Sequence, residues 1–403
     1  MRSFSFKNSF MKKKVLFIIG TLQSGGVSKS MVSLLNAWDR TKYDTTLLLC
    51  CKAGDVFSQF VPKDVRVIYD PVMENVMGGF GSAKWLLQHG HPLLALGVFI
   101  RLVLSRISRS WSGWLISRMM PVVSNEEYDL IVDYGGQQIL YYMIDKLKGK
   151  KKVTFFHNDY SKWPYYYSMD KRYYPKVDRI YSISRICVDA LKRYFPDCES
   201  KIGLMENISS PALIQRQSEE ALPKSVSDTL KQHQLVLASL GHFIRRKGAD
   251  FSITAAKILA EQGIDFIWLI IGQTPEKDLL ADIHRKGLDN CFLLVGVQPN
   301  PYPYLRAADI YVHPSRFEGK SIALDEAKIL CKPIVVTNFS TVHDQFEDGV
   351  NASICEMDGT DLANKILSLY KNMTKRDCYI SYLKNHIQDN TKEVEKLYQL
   401  LEP

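Results

Sequence analysis

Residues 309–331 read DIYVHPSRFEGKSIALDEAKILC. A short run of Ile, Tyr and Val gives way to a polar loop, and the loop to a segment of helical period that runs to about Cys331. This succession decides the fold because it recurs along the chain. Upstream of it stand LVLASLG (235–241), FIWLIIG (266–272) and CFLLVG (291–296), and downstream PIVVTN (333–338). The other half repeats the pattern with KVLFIIG (14–20), TTLLLCC (45–51), YDLIVDY (128–134), KVTFFH (152–157) and RIYSIS (179–184). Apolar runs this short, separated by helical segments such as 27–38 and 185–195, are the pattern of parallel strands with crossover helices. The prediction is an α/β chain of two doubly wound sheets in tandem, with a cleft outside the carboxyl ends of the strands. We place an N-terminal domain at 1–208 and a C-terminal domain at 233–384. Between them, 209–232 is polar and lacks apolar periodicity, so it reads as a linker. A charged helical segment, 385–403, is able to pack back on the N-terminal domain.

The loop and helix that opened this reading also carry the chemistry. Glu318 lies in the loop and Glu326 eight residues further on. At ~1.5 Å per helical residue the two carboxylates stand roughly 10 Å apart along the axis. That is comparable to the span from a sugar to the ribose of its nucleotide diphosphate. The amides of Gly319, Lys320, Ser321 and Ile322 are free at the helix start, where a diphosphate is attracted to them. A retaining glycosidase needs its carboxylates about 5 to 5.5 Å apart, so Glu318 is not read as a hydrolytic nucleophile. In the other domain GTLQSGG (20–26) ends the first strand, and Gly25 and Gly26 would let backbone amides approach a phosphate. It is not GxGxxG, and no acid follows TTLLLCC, so a dinucleotide fingerprint fails.

Composition bounds the rest. A chain of 403 residues, 46% hydrophobic and 24% charged, suits two domains with separate cores. Its eight cysteines are scattered without CxxC pairs, which points to a reducing compartment and neither to a disulfide framework nor to a zinc site. MRSFSFKNSF lacks the apolar core of a signal peptide, and Met11 is a candidate start. The net charge of +9 favours anionic partners. From Asn75 to Asn125 there is no Asp or Glu, yet the stretch holds Lys84, Arg101, Arg106, Arg109 and Arg118 with Trp85, Trp111 and Trp114. Its longest apolar run, 92–100, is about half of the ~20 residues a membrane span needs. Such an insertion, at about 75–125, is expected to lie on an anionic membrane surface through Arg101, Arg106, Arg109, Trp111 and Trp114. Nucleic acid is not an expected partner, since no recognition motif accompanies these charges.

The pair Glu318 and Glu326, the run EGKSIALDEAKIL before KPIVVTN, HND at 157–159 and GGVSKS near the start resemble family-4 retaining glycosyltransferases of GT-B fold over about 12–355. Within that family they are similar to bacterial enzymes of surface and capsular polysaccharide synthesis. The resemblance implies two Rossmann-like domains facing each other across a cleft. It also implies that Glu318 contacts donor sugar hydroxyls and Glu326 the ribose, with Gly319, Lys320, Ser321 and Ile322 against sugar and diphosphate. In GHFIRRKG (241–248), Lys247 matches the residue that neutralises the β-phosphate. His242 stands where the family commonly has Arg, and Arg245, Arg246 or His242 is left to supply that charge. Gly296 and Val297 match the backbone that recognises the base, Gly26 closes over the diphosphate, and His157 matches a histidine near the reacting sugar. The implied reaction moves a hexose or N-acetylhexosamine from a nucleotide diphosphate, UDP by family habit, to a glycan or lipid-linked glycan hydroxyl. It needs no metal or other cofactor and runs in the cytoplasm, peripheral on the inner face of the membrane. A nucleotide-sugar epimerase or hydrolase and a non-catalytic subunit are the rival expectations. His313 and Arg316 are structural candidates beside the loop, and WPYYY (163–167) is expected to pack rather than bind.

Overall fold

The computed structural model describes residues 12–402 apart from Ser24, Thr274 and Gln388. The expectation about Met11 lies outside them. Seven parallel strands form the N-terminal sheet: β1 Lys13–Thr21, β2 Tyr43–Cys51, β3 Arg66–Tyr69, β4 Glu127–Asp133, β5 Lys148–Phe156, β6 Arg179–Ser182 and β7 Ile202–Leu204. Their order is β3-β2-β1-β4-β5-β6-β7. Six more form the C-terminal sheet: β8 Leu235–Leu240, β9 Phe266–Ile271, β10 Phe292–Gly296, β11 Ile310–His313, β12 Ile334–Thr337 and β13 Ser353–Cys355, in the order β10-β9-β8-β11-β12-β13. Central strands are buried on both faces, Val15–Ile19 and all of β9 included. Helices cover both sides of each sheet, so period-two alternation is lost and continuous apolar runs remain. The strand order reverses between β1 and β4 and between β8 and β11, the two points where doubly wound sheets open a crevice.

Three expectations about organisation need correcting. The stretch 209–232, read as a linker for want of apolar period, is not devoid of regular structure: it contains the helices Pro211–Ser218 and Lys224–Leu230. The first is capped by the Ser210 hydroxyl, which accepts from the Leu213 amide, and has Pro211 at its first turn. Ile214 and Leu230 are buried in the C-terminal core, and so few apolar anchors leave no readable period.

The second correction concerns the insertion, which folds as α2 Pro71–Met77, α3 Phe80–Gln88, α4 Pro92–Leu104 and α5 Arg109–Met119, following α1 Gly26–Ala37. Arg101 is not on its surface. It is 8% exposed, one Nη donates to the Met77 carbonyl at 3.1 Å, and Nε is buried without a partner. Trp114 is partly buried against the N-terminal core. Arg106, Arg109 and Trp111 are exposed. Around them α3, α4 and the turn after α4 expose Phe80, Leu87, Leu93, Leu96, Phe99, Ile100, Val103 and Ile107, each at 49% or more. No helix among the described residues is long and apolar enough to cross a membrane.

Third, WPYYY is not simply packed: Trp163, Tyr165 and Tyr167 are exposed, and the Arg109 guanidinium lies 4.3 Å from the Tyr165 ring centroid.

Beyond the helix Met373–Asn385 the chain returns to the N-terminal domain. Val394, Leu397 and Leu401 enter its core, and Tyr398 stacks on Tyr43 with ring centroids 5.2 Å apart. The outgoing and returning segments are tied together: Asn390 Nδ2 donates to the Asn207 carbonyl at 2.7 Å, and the Ser209 amide donates to Asn390 Oδ1 at 2.9 Å.

Candidate active site between the two domains

The loop after β11 drops Glu318 into the cleft. Thr341 Oγ1 donates to the Glu318 carbonyl at 3.0 Å and fixes the turn. Lys247 Nζ reaches Glu318 Oε1 at 2.6 Å, and His313 Nε2 lies 2.9 Å from the same oxygen. His313 is in turn held by the Tyr311 hydroxyl, 3.2 Å from Nδ1. Burial alone would push the Glu318 carboxyl up, but the Lys247 charge and His313 outweigh it and hold it at about 2. Glu318 is therefore anionic at neutral pH. Lys247 is delivered by a one-turn helix, Arg245–Lys247, that ends at Gly248 with φ 73°. A Cβ there would sit 1.8 Å from the Pro314 carbonyl oxygen, so only glycine lets this turn lie against the end of β11.

Glu326, four residues into the helix Ile322–Ile329, is 1% exposed. Its carboxylate takes Lys29 Nζ of α1 at 2.8 and 2.9 Å and the Tyr302 hydroxyl at 2.8 Å. A second cross-domain pair joins Lys320 Nζ to Glu206 at 2.6 Å. The backbones also meet. A Cβ on Gly26 would be 3.1 Å from Ile322 Cδ1, and one on Gly319 only 2.9 Å from the His157 carbonyl oxygen.

These groups enclose a cavity of about 170 Å³ lined by Gly25, Gly26, Lys29, His242, Lys247, Val297, Glu318, Lys320, Ser321, Ile322 and Glu326, among others. Most of the residues singled out from the sequence thus share one space. Arg246 does not: it is exposed and absent from the lining, and Arg245 is paired with Asp278. Of the three basic candidates in that stretch His242 alone reaches the cavity, and burial with Lys247 and Arg246 nearby lowers its pKa, so it brings no charge at neutral pH. Gly296 stands behind Val297, its carbonyl taken by the Gly272 amide at 3.0 Å. Gly319 is packed on the His157 backbone. The His157 ring lies outside the lining, with Nε2 3.0 Å from the Tyr134 carbonyl and burial pulling its pKa down to about 4. Ser321 starts the helix with its amide only weakly engaged, 3.4 Å from Gln345 Oε1.

Sequence reasoning missed Lys29 and Tyr302 and gave His313 only a supporting place. Lys29 sits in GGVSKS, and the one signal it offered was its position on the first turn after the glycine pair.

Comparison with known proteins agrees with this fold. The profile of the family described as Glycosyl transferases group 1 matches residues 224–386. The amylovoran biosynthesis glycosyltransferase AmsK of Erwinia amylovora is 33% identical over 152 residues, 35% of this chain and 37% of its own. The N-acetylgalactosamine-N,N'-diacetylbacillosaminyl-diphospho-undecaprenol 4-alpha-N-acetylgalactosaminyltransferase of Campylobacter jejuni is 26% identical over 226 residues, 56% of this chain and 58% of its own. The matches therefore span less than two thirds of either relative. Anabaena HepE, solved with UDP and glucose, superposes with a TM-score of 0.69 at 17% identity, covering 96% of this chain and 99% of that one. Residues 224–386 thus match the profile of group 1 glycosyltransferases, within a chain whose two parallel-sheet domains have the GT-B architecture.

Proposed function

We propose that the chain is a retaining glycosyltransferase moving a hexose or N-acetylhexosamine from a UDP-linked donor to a hydroxyl of a glycan or lipid-linked glycan in surface polysaccharide synthesis. One observation carries the reading: two buried carboxylates, Glu318 and Glu326, line a single cleft cavity together with Lys247. In it Glu318 holds the sugar hydroxyls and Glu326 the ribose. As the glycosidic bond to the diphosphate breaks, negative charge grows on phosphate oxygens. In this reading Lys247 and the amides at 319–322 stabilise it without a metal. The acceptor hydroxyl approaches from the N-terminal domain and attacks on the face the diphosphate leaves, which retains configuration, and its proton passes to the departing phosphate oxygen. HepE was solved with UDP, and the Campylobacter relative is named for a diphospho-undecaprenol acceptor; the first favours a UDP-linked donor and the second a lipid-linked acceptor.

The acid-free insertion is read as the surface that holds the enzyme on the anionic inner face of the membrane. Its exposed Leu, Ile and Phe side chains would enter the headgroup boundary while Arg106 and Arg109 meet phosphates. The test is calorimetric titration with UDP, GDP and ADP in EDTA, with Glu326→Gln as control. Binding of UDP alone, weakened tenfold or more by the substitution, is expected. No binding by any nucleotide would overturn the proposal.

A further inference from the structure

Among the described residues the pair Lys29–Glu326 is the least solvated ion pair that crosses between the domains, 14% and 1% exposed, and it occupies a carboxylate that the proposed function gives to the ribose. A carboxylate has about four acceptor sites. Three N–H or O–H contacts already sit on Glu326, two from Lys29 and one from Tyr302. A ribose diol needs two. The cavity, at about 170 Å³, is also smaller than the ~300–1,000 Å³ of ordinary ligand sites, so a donor must displace something to enter. Tyr302 belongs to the same domain as Glu326 and is itself buried, whereas Lys29 comes from the opposite wall. Lys29 is the group that moves.

Once displaced, its ammonium is left in a space from which water is largely excluded, and an unpaired charge there is strongly disfavoured. Lys29 stands one helical turn from Gly25 and Gly26, on the wall assigned to the diphosphate. We infer that Lys29 exchanges partners: it latches the empty cleft through Glu326, and on donor entry the ribose takes Glu326 while Lys29 turns to the diphosphate as its N-terminal-domain cation. A nucleoside diphosphate satisfies both halves of the broken pair, and a nucleoside only one. The site thereby discriminates against nucleosides by stranding Lys29. This rests on the proposed donor site.

The experiment titrates wild type, Lys29→Met and Lys29→Arg with UDP and with uridine, each variant first checked by thermal melting. The Met variant should lose UDP affinity by tenfold or more while uridine binds as well as before or better, because Glu326 then lacks a competitor. The Arg variant should keep most of the wild-type preference for UDP. Equal changes for UDP and uridine in the Met variant, or unchanged UDP binding, overturn the exchange while leaving the donor site standing. A wild type that binds no UDP overturns both. If the Met variant fails to fold, an Arg variant that has lost the UDP preference counts against the exchange, and one that retains it supports it.

Discussion

Replacing Gly319 by alanine adds one methyl group at a close approach of the two domains. The new Cβ would lie 2.9 Å from the His157 carbonyl oxygen, 3.3 Å from Asn158 Cα and 3.4 Å from Ile183 Cδ1. Two of these neighbours are backbone, in the segment that leaves β5, and cannot rotate aside. Relief must come from parting the domains by a few tenths of an ångström. Overpacking of this kind costs about 1–3 kcal/mol. At about 1.4 kcal/mol per factor of ten, the closed cleft becomes roughly 5- to 150-fold less favoured. Contacts that share the seam should loosen with it, namely Cys187 Sγ to the Gly319 carbonyl at 3.8 Å and Lys320 to Glu206 at 2.6 Å. Of the buried apolar side chains only Ile183 is approached, at the edge of ordinary contact distance. G319A should therefore weaken UDP binding by about tenfold in calorimetry, within that range. It should also leave the melting temperature within a few degrees of wild type. Unchanged UDP affinity, or a large loss of melting temperature, would refute the wedge argument.

Two further outcomes are expected. The drop of the Glu318 pKa from 4.5 to about 2 corresponds to about 3 kcal/mol favouring its charged form in the fold. A depressed carboxylate contributes that stability in full above its unfolded value and loses it only as pH falls toward 2, so wild type gains or loses nothing from Glu318 between pH 5 and 8. In Lys247→Met the buried carboxylate keeps only His313, its pKa rises, and it protonates more readily. The melting deficit of the variant should be smaller at pH 5 than at pH 7; an equal deficit at both would mean that Glu318 does not depend on Lys247. On the insertion, Leu93→Lys with Phe99→Lys places charge on two of its exposed apolar positions. Co-sedimentation with anionic vesicles should fall several-fold while UDP affinity stays put, and undiminished sedimentation would remove this face from membrane binding.

How far the sequence could be read follows from what each feature depends on. Strands such as β1, β2 and β9 were legible because burial on both faces writes itself as an unbroken apolar run. β3 was not, because Arg66–Tyr69 lies largely exposed at the edge of its sheet, nor were β7 and β13, each only three residues long. The Glu318 loop and Glu326 were legible as a local pattern on one strand-loop-helix. Lys29 was not, because a lysine on an amphipathic helix reads as solvated until the other domain supplies its partner 297 residues away. Arg101 failed in the opposite direction. Among five basic residues in an acid-free stretch nothing local distinguishes the one that turns inward beneath α2, and its burial depends on how four short helices pack. His242 and Arg246 show the same limit: their spacing to Lys247 is fixed by sequence, but a single turn of helix decides which of them faces the cleft.

The return of residues 394–401 to the N-terminal domain bears on the order in which the chain acquires structure during synthesis. Leu397 and Leu401 fill the same side of the sheet as Phe17, Leu47 and Trp38. Until the ribosome has passed through the entire second domain, that side of the first sheet has an open gap and exposed apolar walls. The first domain emerges early but finishes late, so a nascent chain stalled near residue 380 should be a better chaperone client than its length suggests.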